Sequence, residues 1–244
     1  MLLTEIKLSK AELDTLPEAE QVFFVQIMHF LNELNILQKC VIVSNNRLED
    51  SLSRIEKRSQ IAQAQFFIRI LAGKLYEGWE MIKENFFKTG ISKKYESLLS
   101  KKGKENLSEL KNYFNNKSNT IRLIRKKFAF HYDREMVKEQ IKKIPKAEKL
   151  EIYMSENSAN CLFSIGDIVI NWAILNSIDS SNPEKAMKIL IGEVAIKVSR
   201  LFQGFCHDYI TIVAKQLKLD FNDVEIDDPK SIYEIELPYF ITRS

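Results

Sequence analysis

The chain has 244 residues, 45% of them hydrophobic, which is enough to bury one sizeable core without demanding a second domain. Its 7 Gly and 5 Pro are few for this length and argue against turn-rich β architectures and long flexible linkers. The net charge of +3 is unevenly placed, because Lys83 to Lys149 holds 19 Lys and Arg against 8 Asp and Glu, while the rest of the chain carries 17 against 25. A basic block of this kind suits a phosphate-backbone partner, although solvated helix faces give the same composition.

The opening MLLTEIKLSKAELD carries acidic residues early and no unbroken apolar core, so it does not read as a signal peptide. After Pro17, apolar residues recur at Phe23, Ile27, Phe30, Leu34, Leu37 and Val41, the spacing of a long helix that buries one face. The polar stretch Asn45 to Gln60 separates it from a second stripe, Ile61, Ala64, Ile68, Leu71, Leu75 and Ile82, which is expected to pair antiparallel with the first. The most apolar windows, Val22 to Val43 and Ile168 to Ile178, are interrupted by Glu33 and Lys39 or too short to span a bilayer. The basic middle breaks into shorter amphipathic pieces near Ser92–Leu99, Lys104–Phe114, Asn119–Phe130 and Arg134–Ile144, punctuated by Gly90, Gly103 and Pro145.

Beyond these, Lys149 to Ser155 reads as a short strand or a turn, and Ala159 to Ile178 as a mostly buried helix. Asn182-Pro183-Glu184 opens the last long helix, whose stripe runs through Ile191, Ala195, Val198, Phe202, Phe205, Tyr209 and Ile212. From Asp220 onward 7 Asp and Glu face 2 Lys and Arg with no helical period, the pattern of a tail packed on the surface. The expected architecture is all-α, a helical bundle of four to five long helices with shorter inserted ones. It forms a single domain over residues 1–219 with an acidic C-terminal tail over 220–244. Cys40, Cys161 and Cys206 lie far apart in apolar stretches, which suggests neither a disulfide framework nor a zinc ribbon and fits a reducing cytoplasm.

Most catalytic signatures are absent, among them a glycine-rich phosphate loop, H-E-x-x-H, C-x-x-C and G-x-S-x-G. What remains is IRLIRKKFAFHYDRE, residues 121–135, in the most basic part of the chain. There Arg125 is followed after five residues by His131 and then by Asp133, beside Phe128, Phe130 and Tyr132. RKKFAFHYD resembles the Arg-(four to six residues)-His signature of the HEPN superfamily, in the R-x-K-x-x-x-H-x-D form of its abortive-infection members. The residue after the arginine is usually Asn, Asp or His in that family and is Lys126 here, which puts a phosphate-contacting cation where a polar helper usually stands.

The resemblance implies a metal-independent endoribonuclease that needs no cofactor and acts as a homodimer in phage defence or a toxin system. It implies an RNA substrate and, in such systems, a cognate antitoxin or defence partner protein. Arg125, His131 and Asp133 take the catalytic positions, with Arg122, Lys126, Lys127, Tyr132 and Arg134 as nucleic-acid contacts around them.

The chemistry is coherent with those residue types. RNA carries its own nucleophile, the 2′-hydroxyl, so cleavage needs a base for its proton and a cation for the charge gathering on the phosphate. Histidine titrates closest to neutrality, making His131 the acid or base, and the planar fork of Arg125 makes it the phosphate clamp. Asp133 orients His131 or caps a following helix, and Tyr132 is placed to stack on a base. Six residues along an ideal helix advance roughly 9 Å and about 240° in phase, so Arg125 and His131 of one chain would not share a face. Either the helix is distorted or ends near Lys127, or a second copy completes the site across a two-fold axis. A non-catalytic helical module that binds nucleic acid or a partner protein through the basic middle is the competing reading. His29 and His207, within apolar helices, are expected to be partly buried structural residues; Trp79 and Trp172 to be core or interface; and Lys101 to Lys104 to form an exposed loop.

Overall fold

The computed structural model describes residues 1–45, 52–129, 134–147 and 149–242. It is 70% helical, with one small sheet of two strands among the described residues. Its elements run β1 (Leu2–Ile6), α1 (Lys10–Leu13), α2 (Glu18–Asn45), α3 (Arg54–Ile82), α4 (Ile91–Tyr95), α5 (Lys101–Asn115), α6 (Thr120–Ile124), α7 (Arg134–Lys143), α8 (Ser164–Ile178), α9 (Pro183–Ile189), α10 (Ser199–Gln216) and β2 (Phe221–Glu225). Stretches wound as π-helix follow α3 at Lys83–Phe87, follow α6 at Arg125–Ala129 and join α9 to α10 at Leu190–Val198. The described residues divide into two compact units, both of which take in parts of α2, of α3 and of the span from α9 to α10.

The first unit comprises Met1–Asn35, Lys74–Lys117 and Lys197–Ser231. Here α2 and α3 run antiparallel, with Gln26 bonded to Asn85 at 2.8 Å and Glu33 to Lys74 at 2.6 Å. The apolar stripe of α2 turns Phe23, Ile27, Phe30 and Leu34 into an aromatic core shared with Trp79, Phe86, Phe114, Phe202, Phe205 and Tyr209. Its rings meet edge-on, stacked or tilted, as in Phe23–Tyr209 at 5.0 Å, Trp79–Phe114 at 5.1 Å and Phe30–Phe202 at 5.1 Å. Helices α5 and α10 pack closely because each offers a glycine to the other: a Cβ on Gly103 would collide with the Asp208 carboxylate, and one on Gly204 with the Asn106 amide. Ser100 caps α5 by accepting from the Gly103 N–H at 3.0 Å, and its own N–H donates to Asp208 at 2.8 Å. Lys101 to Lys104 therefore form the first turn of α5 and not an exposed loop, because the Ser100 cap starts the helix one residue before them.

In the same unit, β1 and β2 pair antiparallel, with Leu2 opposite Glu225 and Ile6 opposite Phe221. Five residues of the acidic tail are thus a strand. Tyr239 and Ile241, further along the tail, belong to the second unit, where Asn160 and Ile241 exchange bonds at 2.6 and 2.9 Å and the Tyr239 hydroxyl donates to the Cys161 carbonyl at 2.9 Å.

The second unit comprises Ile36–Gly73, Ser118–Ile196 and Ile232–Ser244. Its helices begin where short polar side chains satisfy the free N–H groups: Asn119 caps α6, and Asn182 caps α9 with Pro183 in the first turn. Helix α7 packs along α8, tied by the Asn176 amide donating to Gln140 at 3.1 Å. The segment between them closes with a bridge between Tyr153 and Leu162, so Lys149 to Ser155 contributes an isolated ladder pair, and the helix expected from Ala159 starts at Ser164. Among the described residues no helix is long and apolar enough to cross a membrane.

Candidate functional site

The motif segment begins on α6, whose Asn119 side chain accepts from the Arg122 N–H at 2.8 Å. Ile121, Ile124 and Phe128 are buried and hold this stretch to the second unit's core, which fixes the faces left to the polar residues between them. Arg122 and Arg125 are half-buried, one helical turn apart, while Lys126 and Lys127 are exposed. At Arg125 the winding loosens into π-helix and stays so through Ala129. One extra residue per hydrogen-bonded ring changes the phase of everything downstream, and such stretches recur at functional sites. Phe130, His131, Tyr132 and Asp133 lie outside the described residues. Arg134, exposed, opens α7 directly after them.

Charge pairing divides the basic block. In the first unit Lys83, Lys88, Lys94 and Lys111 are engaged with Glu80, Glu84, Glu20 and Glu96 at 2.7 to 2.9 Å. Around the motif Lys138 meets Glu135 at 3.3 Å. Lys126, Lys127, Arg134, Lys142 and Lys143 have no ion pair among the described residues. Cations that are exposed and uncompensated are those that a phosphate backbone neutralises.

A second feature of this unit has no counterpart in the sequence reading. Helices α3, α7 and α8 enclose a cavity of about 560 Å³, walled by Ile61, Ile144, Leu162 and Trp172 and carrying the polar groups of Arg58, Asp167 and Asn171. Burial pushes the Asp167 carboxyl above the usual carboxylate range, and the positive charge of Arg69 opposes that shift. The Oδ1 of Asn171 is buried without a hydrogen-bond partner among the described residues. Arg58 reaches Glu151, which also accepts from the Tyr153 hydroxyl at 2.6 Å and meets Arg54 at 3.1 Å. The Tyr153 hydroxyl, followed by the two guanidinium groups, holds the Glu151 carboxyl below its ordinary value. The signal that points here in the sequence is Asp167 and Asn171, four residues apart in the otherwise apolar run Ile165–Leu175, since lone polar groups seldom enter such runs unpaired.

The histidines expected to be partly buried are both exposed: His29 lies 3.4 Å from Glu33 on the outward face of α2, and His207 occupies the outward face of α10. Both sit one or two positions off the apolar stripe of their helix, and at that phase a side chain faces away from the core. Trp79 is core, 4% exposed, whereas Trp172 at 50% exposure forms part of the cavity wall. No family model, no curated protein and no solved structure matches this chain.

Proposed function

We propose that the chain is a metal-independent endoribonuclease of the HEPN type that cleaves RNA by attack of the 2′-hydroxyl, in phage defence or a toxin system. The observation that carries the reading is the set of cations on both sides of His131 that have no ion pair among the described residues: Lys126 and Lys127 before it, Arg134, Lys142 and Lys143 after it. Such cations hold the backbone of a single strand while one arginine and one histidine act on the scissile phosphate.

In this reading Arg125 donates its guanidinium fork to the phosphate oxygens, so charge accumulating in the transition state meets a fixed cation. His131 removes the 2′-proton or supplies one to the leaving 5′-oxygen, and Asp133 orients its ring. The π-winding at Arg125–Ala129 departs from the ideal helix on which Arg125 and His131 would point to different faces. A second copy, meeting the first through this face about a two-fold axis, adds its own pair to one basic cleft.

The test is single-turnover cleavage of a labelled RNA with EDTA present, for the wild type, His131→Ala and Arg125→Lys. Cleavage by the wild type leaves a 2′,3′-cyclic phosphate and spares DNA. Loss of the histidine lowers the rate about 10²–10⁴-fold, and the lysine variant loses most activity because a point charge does not reproduce the bidentate fork. Full activity in His131→Ala overturns the assignment. An inactive wild type that still binds RNA returns the chain to the alternative, a non-catalytic helical module.

A further inference from the structure

We propose that the cavity between α3, α7 and α8 binds a guanine nucleotide, base inward and phosphate at the rim. The inference shares Lys143 with the cations of the ribonuclease reading but none of the Arg125–His131 segment, and the base-selecting groups Asp167 and Trp172 belong to this cavity. A volume of about 560 Å³ lies within the range that encloses a small organic ligand, roughly 300–1,000 Å³. Most of the lining is apolar, and its aromatic member is Trp172, whose exposed indole offers a flat face for a base.

The polar groups of the interior select the base. Asp167, on α8 one turn from Asn171, puts a carboxylate into the lining. A carboxylate facing the pairing edge of a base is fully satisfied only by guanine, which presents two adjacent donors, its ring N–H and its exocyclic amino group. Adenine and cytosine set a ring acceptor beside their amino group, and uracil flanks its one ring N–H with carbonyls, so each turns a lone pair toward the carboxylate. Receiving two donors also suits a carboxylate whose charge burial disfavours.

The rim selects the phosphate. Lys143 is exposed and has no ion pair among the described residues. Arg58 shares the single carboxylate of Glu151 with Arg54, so that trio keeps one positive charge. Together they offer a phosphate an ammonium and part of a guanidinium beside an apolar slot.

A guanosine phosphate reaches this cavity as a free nucleotide or as one residue of an RNA strand, and the experiment separates the two. The full chain is titrated with GMP, AMP, guanosine and two five-residue oligoribonucleotides, one with a single guanosine and one without, by calorimetry and by tryptophan emission. Because Trp79 is 4% exposed and Trp172 is 50% exposed, quenching by an added base reads Trp172. GMP is expected to bind about tenfold more tightly than AMP, and Asp167→Asn to abolish that preference. Lys143→Ala, a change at an exposed side chain, is expected to weaken GMP about tenfold and leave guanosine unchanged. His131→Ala is expected to keep GMP affinity whatever it does to RNA cleavage, so failure of either proposal leaves the other standing. Binding of the guanosine-containing strand that GMP displaces assigns the site to RNA; binding of GMP without either strand assigns it to the free nucleotide. Equal affinity for GMP and AMP, or no quenching by any of these ligands, overturns the proposal.

Discussion

The hydroxyl of Tyr95 donates to Glu20 at 2.6 Å inside the first unit, and Lys94 approaches the same carboxylate oxygen at 2.8 Å. Tyr209 packs its ring 5.1 Å from that of Tyr95, yet its hydroxyl has no hydrogen-bond partner among the described residues. Two tyrosines in one aromatic core are thus chemically opposite: one satisfies a buried acid, while the other carries a desolvated hydroxyl. Tyr95→Phe should lower stability by about 1–3 kcal/mol, since it leaves Glu20 short of a donor. Tyr209→Phe should leave stability unchanged or raise it, because the deleted group makes no bond. Urea midpoints for the two variants decide the matter, and equal losses would show that the Tyr209 hydroxyl is bonded in solution.

The same core fixes how stability responds to alkali. Burial pushes the phenols of Tyr95 and Tyr209 and the thiol of Cys206 well above their ordinary values. A group whose folded pKa is raised loses its proton first in the unfolded chain, so its contribution is full below the unfolded pKa and declines as pH rises beyond it. The decline should begin near pH 8.5 with the thiol and steepen near pH 10 with the phenols, roughly their unfolded values. Melting temperatures between neutral and strongly alkaline pH would show this, and Cys206→Ala should remove the earlier part of the fall.

Glycine at the α5–α10 contact sets up a reversal of helix propensity. An exposed helical Gly→Ala change gains about 0.5–1 kcal/mol, and Gly166, whose Cβ would meet open space on α8, should show that gain. At Gly103 and Gly204 the added methyl enters space held by Asp208 and Asn106, so alanine there should cost about 1–3 kcal/mol instead. Thermal melts of the three variants test the sign, and a gain at Gly204 would mean that α5 and α10 sit farther apart than described.

How much of this was legible follows from what each feature depends on. Helix α2 declares itself because Pro17 and an unbroken stripe lie in consecutive sequence, and α9 because Asn182 and Pro183 form a start signal. Helix α3 begins at Arg54, earlier than its stripe suggests, because Ser53 and Glu56 cap it with polar groups at 2.6 and 2.9 Å that add nothing to the apolar period. The β1–β2 ribbon escapes notice since β2 is exposed along its whole length, so no buried alternation marks it. The Arg125–His131 segment is readable because its chemistry is contiguous. The cavity is not, because Arg58, Lys143 and Asp167 are gathered from three helices by packing alone.

The cations around the motif and those already engaged by carboxylates should differ in the salt dependence of RNA binding. Each lysine or arginine that neutralises a phosphate releases counterions, so removing it should reduce the slope of log affinity against log salt by about 1. Lys127→Ala and Arg134→Ala should do so, since both side chains are exposed and have no ion pair among the described residues. Lys88→Ala should not, because that ammonium already meets Glu84 at 2.7 Å and its loss changes local charge without removing a free cation. All three positions are exposed, so folding should survive each change and the comparison reads binding alone. The measurement is fluorescence anisotropy of a labelled single-stranded RNA across a salt series for the wild type and the three variants. Equal slopes in all four proteins would move the RNA contact away from the Arg122–Arg134 face and would favour a protein partner for the basic block.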